Sequence, residues 1–279
     1  MRKSILWFMP ALALLALPSL ALASDQCSFQ APQKLDLDLA GVKTLQIDLG
    51  ANELHLDAAS GVGNVEVRGR ACASSQKLLG SLHLTQHREG DRLVLKAESD
   101  TDWNIGLFGG HYAWFDLHVR VPATVAVQLG IGSGDAVVNG VASLDVHTGS
   151  GDLQAHGIRG VLAVETGSGD VQASDVGSLQ VDTIGSGDLR TDGVGGDASV
   201  GHVGSGDLQL SDVHGNVGID SMGSGDANLL RIGGSVEVGS MGSGDVDADT
   251  VGGDLTVRSM GSGDVDHRNV KGKVSVPRD

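Results

Sequence analysis

The chain has 279 residues, 35 acidic and 19 basic side chains for a formal net charge of −16, and only 3% aromatic residues. A surface this acidic repels nucleic acid and anionic lipid headgroups, and it attracts divalent cations and cationic peptides. No nucleic-acid partner is expected.

The chain opens "MRKSILWFMPALALLALPSLALASDQC", with Arg2 and Lys3 ahead of an apolar run from Ile5 to Leu22 that ends in Ala21-Leu22-Ala23. This composition predicts a secretory signal peptide over residues 1–23. Pro10 and Pro18 break the run, which argues against a membrane anchor. Cys27 follows "SDQ" rather than the small and apolar residues of a lipoprotein signal, so no lipid anchor is predicted. No later apolar run is long enough to span a bilayer. The mature chain is therefore expected to be soluble, without a transmembrane segment, and either periplasmic or secreted. In an oxidising compartment Cys27 and Cys72, the only two cysteines, are expected to form a disulfide that staples the N-terminal region.

Residues 24–126 read as strands in runs such as "LDLDLAGVKTLQIDLGANELHLDA", "GNVEVRGRA", "GDRLVLKAE" and "FDLHVRVPATVAVQL". They do not carry the later repeat and are expected to form a β-rich region that caps the solenoid which follows. Most of the aromatic residues fall in "DWNIGLFGGHYAWFDLHVRV", residues 102–121. Alternation points Phe115, Leu117, Val119 and Val121 inward and Tyr112, Trp114, Asp116, His118 and Arg120 outward. Trp103, Tyr112 and Trp114 are the candidate ligand-binding residues, because aromatics beside polar groups stack on sugars or anchor a protein partner. A capping or core role is the competing reading.

From residue 127 to residue 279 the chain repeats. GSGD begins at Gly132, Gly149, Gly167, Gly185, Gly204, Gly223, Gly242 and Gly261, at intervals of 17 to 19 residues. Each interval holds two short alternating segments separated by turn residues, for example "DVDAD", "DTVGG" and "LTVRSM". Stacked at one coil per repeat, the apolar positions align in columns. Leu153, Val171, Leu189, Leu208, Ala227, Val246 and Val265 form one inner face, and Val164, Val181, Val200, Ile219, Val238 and Val257 form another. The predicted fold is all-β: a parallel β-helix, expected to be right-handed, of about eight coils. Ile184, Val203, Met222, Met241 and Met260 make a further column, read as core packing and not as a copper(I) ladder.

The repeated acids are Asp135, Asp152, Asp170, Asp188, Asp207, Asp226, Asp245 and Asp264. Stacked at one corner, they lie within a Debye length of their like neighbours, so something must compensate them. The preferred reading is architectural. The two glycines of each motif are expected to adopt φ > 0 in a tight turn, with Ser and Asp side chains bonding turn amides. Calcium bound by these aspartates is the alternative, although GSGD lacks one residue of the calcium-roll nonapeptide. The opposite corners, such as "VGGD", "VHGN" and "IGGS", show no regular acid. Catalysis by eight equivalent acids is disfavoured, and no catalytic or cofactor-binding residue is assigned. Outward along the first strand of each coil run Val137, Gln154, Gln172, Arg190, Gln209, Asn228, Asp247 and Asp266, a stripe able to contact a glycan or a protein but expected to be a solvated face. His147, His156, His202, His214 and His267 are assigned to different columns without metal-ligand spacing.

The run "VRVPATVAVQLGIGSGD" leading into the solenoid and the iterated "GSGDV…V.G…V.V" coils resemble a bacterial envelope family of unknown function built from repeated β-strands. That family is related to the autotransporter-adhesin head (GIN) domain, and the resemblance covers roughly residues 35–276. It implies a parallel β-helical fold and an envelope setting, and it carries over no catalytic residues. A non-catalytic binding, adhesion-like or scaffold protein whose partner is an envelope protein or glycan is therefore the leading expectation. A sensor of cations or cationic peptides comes second. A polysaccharide lyase or hydrolase comes third, disfavoured by 22 acidic against 8 basic residues from Gly132 onward.

Overall fold

Period-two alternation with glycine-rich punctuation gives a molecule that is almost wholly strand. The computed structural model describes residues 27–100 and 110–277. Strand accounts for 63% of the described residues, and the one α-helix among them is the single turn Gln76–Leu79. Two twelve-stranded sheets face each other. From Ala126 onward the chain alternates between them, beginning with β8 (Ala126–Ile131) in one and β9 (Ala136–Asn139) in the other. Each later strand pairs in parallel with its counterpart one coil back. The result is the parallel β-solenoid expected from the repeat.

Register confirms the apolar columns. Leu153, Val171, Leu189, Leu208, Ala227 and Val246 pair in sequence and are at most 1% exposed, whereas Val265 in the last of these strands is only partly buried. Val164, Val181, Val200, Ile219, Val238 and Val257 form the facing wall. The methionine column is core as expected, but its earlier members include Thr148 and Thr166. Both threonines are buried, and each donates its hydroxyl to the carbonyl of Gly151 or Gly169 in its own corner at 2.7 Å. The column tolerates a polar side chain where a local acceptor satisfies it.

The N-terminal strands join the same two sheets. β1 (Phe29–Leu37), β2 (Thr44–Gly50), β3 (Glu53–Ala59), β4 (Val65–Ala73), β5 (Leu82–Glu89), β6 (Arg92–Ser99) and β7 (Ala113–Pro122) precede the repeats. β2 lies between β6 and β8, and β3 lies between β7 and β9, all in parallel. The β2–β3 coil thus stacks in solenoid register although it lacks GSGD. It turns through Gly50, Ala51, Asn52 and Glu53, and Gly132 donates its amide to the Gly50 carbonyl at 2.8 Å. The β6–β7 layer sits outside it, so the chain passes over one coil before reaching β8. Antiparallel β5 finishes one sheet, and antiparallel β4 and β1 finish the other. Cys27 and Cys72 are joined as a disulfide with 5.5 Å between their Cα atoms, tying the start of β1 to the end of β4.

Candidate functional site

The corner aspartates are arranged as a ladder. The amide of Asp152 donates to Asp135 Oδ1 at 3.1 Å, and the same bond recurs upward through Asp170, Asp188, Asp207, Asp226, Asp245 and Asp264 at 2.8–3.0 Å. Each of the lower seven carboxylates therefore accepts a main-chain N–H from the next coil, which spreads partial positive charge through the column. Arg190 adds one guanidinium, donating to Asp188 Oδ2 at 2.9 Å.

The corner glycines do not act through positive φ. None of the GSGD glycines has φ > 0, so the corner bends without the left-handed conformation that glycine would allow. What they lack is room for a Cβ: one added at Gly151 or Gly206 would lie 1.7 Å from the carbonyl oxygen of the corner glycine one coil below. The left-handed conformation occurs elsewhere, in a column at the bend of the other sheet: Gly140, Gly157, Asp175, Gly193, Asp212, Arg231, Thr250 and Asn269, with φ between +55° and +81°. There it turns the next residue, such as Val194 or Val213, into the core.

The opposite corner, which looked irregular, carries a second ladder. Asn216 donates its amide to Asp197 Oδ1 at 2.7 Å, Ser235 to Asn216 Oδ1 at 2.9 Å, Asp254 to Ser235 Oγ at 3.0 Å and Lys273 to Asp254 Oδ1 at 2.7 Å. The column needs an acceptor and not a charge, which is why a search for regular acids misses it. The signal was present as an Asp, Asn or Ser directly after glycine at 19-residue spacing. His147 and His202 also prove to share a column, through Glu165 and Thr183, which corrects the separate-column reading. They stand three coils apart, roughly 14 Å at strand spacing, too far to hold one ion together.

The aromatic candidates lie on the outer face at the N-terminal end. Phe115, Leu117, Val119 and Val121 are at most 1% exposed, and Trp114, Asp116, His118 and Arg120 alternate outward as the sequence predicts. The Tyr112 hydroxyl accepts the Ser28 amide at 3.0 Å and bonds the Ser28 hydroxyl at 3.0 Å. Trp114 is half-buried, and the Arg70 guanidinium lies 5.5 Å from its ring centroid. Arg70 Nε donates to Asp116 Oδ2 at 3.2 Å, while Asp116 Oδ1 lies 3.5 Å from His118 Nε2. His118 in turn stacks on His55 at 5.0 Å. A shallow cleft of about 380 Å³ lies between Glu53, His111, Tyr112 and Trp114. Trp103 lies outside the described residues.

Shifted ionisations mark many catalytic centres, but here they sit on the solvent-facing side of the strands. Arg231 hydrogen-bonds Asp212 with both carboxylate oxygens, holding that carboxyl below its ordinary range and raising the guanidinium. Asp249 is lowered by hydrogen bonds from Asn269 and Thr250, with Arg268 nearby. Asp212 and Arg231 are half exposed and Asp249 is partly buried. No group of three or more His, Cys, Asp or Glu side chains suited to holding a metal ion occurs among the described residues. No helix of the described residues is long and apolar enough to cross a membrane.

A family model described as "Putative auto-transporter adhesin, head GIN domain" matches residues 76–249. No curated protein matches the chain. Among solved structures, a Parabacteroides distasonis protein titled "Putative lipid binding protein" is 15% identical, with a TM-score of 0.51 over 88% of this chain and 97% of that one. A structure titled "putative adhesin" from the same species is 17% identical, with a TM-score of 0.43 over 88% of this chain and 96% of that one. Another with that title, from Parabacteroides merdae, is 11% identical, with a TM-score of 0.42 over 86% of this chain and 97% of that one. At such identities only the fold is shared, and only the first of the three likenesses bears on it.

Proposed function

The chain belongs to the family of the auto-transporter adhesin head GIN domain, and from that premise we propose that it is an exported, non-catalytic binding protein of the bacterial cell envelope. The observation that carries this reading is the layout of polar side chains. They run in coil-by-coil columns whose main duty is to satisfy the backbone of the next coil, whereas acid–base catalysis requires a local, asymmetric convergence of groups. The leader-like opening and the Cys27–Cys72 bridge support an oxidising, extracytoplasmic setting.

The ligand contact in this reading is the cleft beside Tyr112 and Trp114. Both rings are fixed in place, Tyr112 by Ser28 and Trp114 by Arg70, so they present aromatic surface without further ordering cost. An envelope protein or a glycan fits such a platform. Crosslinking in the intact envelope, with the wild type and with Trp114→Ala, tests it. Loss of specific adducts in the variant is expected, and an unchanged adduct pattern would reject the cleft. Fractionation of the same cells reports the compartment. The cation-sensing reading is addressed by melting the protein with EDTA and with calcium. Because main-chain amides already compensate the ladder, no shift is expected in either. New reducing ends on incubation with uronate or neutral polysaccharides would instead mark an enzyme.

A further inference from the structure

The outward stripe of the first strand of each coil presents polar side chains in direct register. Gln154, Gln172, Arg190, Gln209 and Asn228 pair in direct register over five successive coils, which places them roughly 4.8 Å apart along the solenoid. Beside them run His156, Ser174, Asp192 and Ser211. Two depressions of about 260 and 250 Å³ lie along this face. They flank Arg190 and Gln209, which line both, and together make a shallow furrow that reaches from His156 to Asn228.

The two columns differ in their hydrogen-bonding state. His156 bonds Ser174 at 2.8 Å, and Ser211 donates to Asp192 at 2.7 Å, so much of that column is spent internally. The side-chain amides of Gln154, Gln172, Gln209 and Asn228 are exposed and make no hydrogen bond among the described residues. Each offers two donors and an acceptor to an incoming group.

The surroundings restrict what that group can be. Asp170, Asp188, Asp207 and Asp226 form a ridge along one side, which repels an anionic polymer. Arg190, bonded to Asp188 Oδ2 at 2.9 Å, offsets one carboxylate of that ridge and leaves the face acidic, so a polycation is the competing occupant that the test must exclude. An apolar occupant meets no large exposed hydrophobic side chain here: among the described residues those are Phe29 and Val161, which lie elsewhere. We propose that this furrow binds a linear, uncharged, hydroxyl-rich polymer, a neutral glycan strand lying along the solenoid axis. The proposal rests on the binding-protein reading above and gives it a ligand class and a second surface. Side-chain amides occupy four of these five coils, with Arg190 in the third, so each further sugar along this stretch meets a further polar donor and affinity rises with chain length.

The test is binding of the full chain to neutral linear oligosaccharides of glucose, mannose, galactose or N-acetylglucosamine, from disaccharide to octasaccharide. Poly-lysine and a uronate oligomer serve as charged comparators. At least one neutral series is expected to bind with length-dependent affinity. The combined variant Gln172→Ala, Gln209→Ala, Asn228→Ala is expected to weaken that binding by about tenfold or more at an unchanged melting temperature. If the combined variant melts early, Gln209→Glu, which keeps the side-chain length and adds a charge, provides the same reading. Failure of every neutral series, capture of poly-lysine alone, or undiminished binding by the variants overturns the proposal. Loss of glycan binding in Trp114→Ala but not in the furrow variant overturns the furrow and leaves the cleft standing. The reverse result upholds the furrow and removes the cleft as the glycan site.

Discussion

At Arg231 a side chain in the left-handed region reaches one coil back and closes on the Asp212 carboxylate, with nitrogen–oxygen distances of 2.6 and 2.5 Å. The hydrogen bond and charge of Arg231 lower the Asp212 pKa, and burial opposes them. A carboxyl depressed in the folded state stabilises the fold above its unfolded pKa and loses that contribution as pH falls through the folded value. Arg231→Gln should therefore move the Asp212 midpoint upward in an NMR pH titration, toward the ordinary aspartate range. It should also shift acid unfolding to higher pH; an unmoved midpoint would show that the pair does not persist in solution. Gly206 poses a steric problem instead. Gly206→Ala would set a methyl 1.7 Å from the Gly187 carbonyl oxygen, with backbone on both sides of the clash. A loss on the order of 3 kcal/mol or more is expected in denaturant unfolding, against a much smaller change for Gly218→Ala, where a Cβ meets nothing within 4 Å.

At the scale of one element, the ladders decide how a coil seats on the next. Asp207 accepts the Asp226 amide and donates its own amide to Asp188 Oδ1, both at 3.0 Å. Asp207→Ala removes the acceptor and should cost about 1–2 kcal/mol. Asp207→Asn keeps the acceptor, removes one like charge from the column, and should stay within about 0.5 kcal/mol of wild type. Equal losses for the two substitutions would mean that charge, and hence a bound cation, matters more than the amide. Parallel stacking, the two inner faces and the corner positions were all legible in the sequence, because a 17- to 19-residue period with period-two alternation leaves few other arrangements. The second ladder at Asp197, Asn216, Ser235 and Asp254 was not, since acceptors of different chemistry interchange there. The role of the corner glycines was also hidden. Sequence shows that glycine is used, but positive φ and close approach produce the same letter.

For the whole molecule, the ends differ from the middle. Nineteen acidic and three basic residues lie between Gly132 and Val257, and the basic side chains concentrate toward both ends. Antiparallel β1, β4 and β5 finish the N-terminal end, and the Cys27–Cys72 bridge closes a loop with a sequence separation of 45. On the chain-entropy model such a loop stabilises the fold by roughly 4 kcal/mol, less any strain. Cys27→Ser should lower the melting temperature of the oxidised protein, and reductant should lower the wild type but not the variant. Equal melting of the two oxidised proteins would mean that the bridge adds nothing to stability.

The sequence alone carries the strand content, the coil length, the parallel stacking and the apolar columns, because all of these follow from local periodicity repeated along one chain. It also determined which faces of residues 113–121 point inward. Only the tertiary structure decided that the β2–β3 coil stacks in solenoid register without the motif and lies between layers that follow it in the chain. Only there did the free amides of Gln172, Gln209 and Asn228 separate from the bonded polar groups beside them. The physical reason is common to both cases. A hydrogen bond between coils joins residues far apart in sequence, so whether a given acceptor is satisfied depends on what the next coil places opposite it.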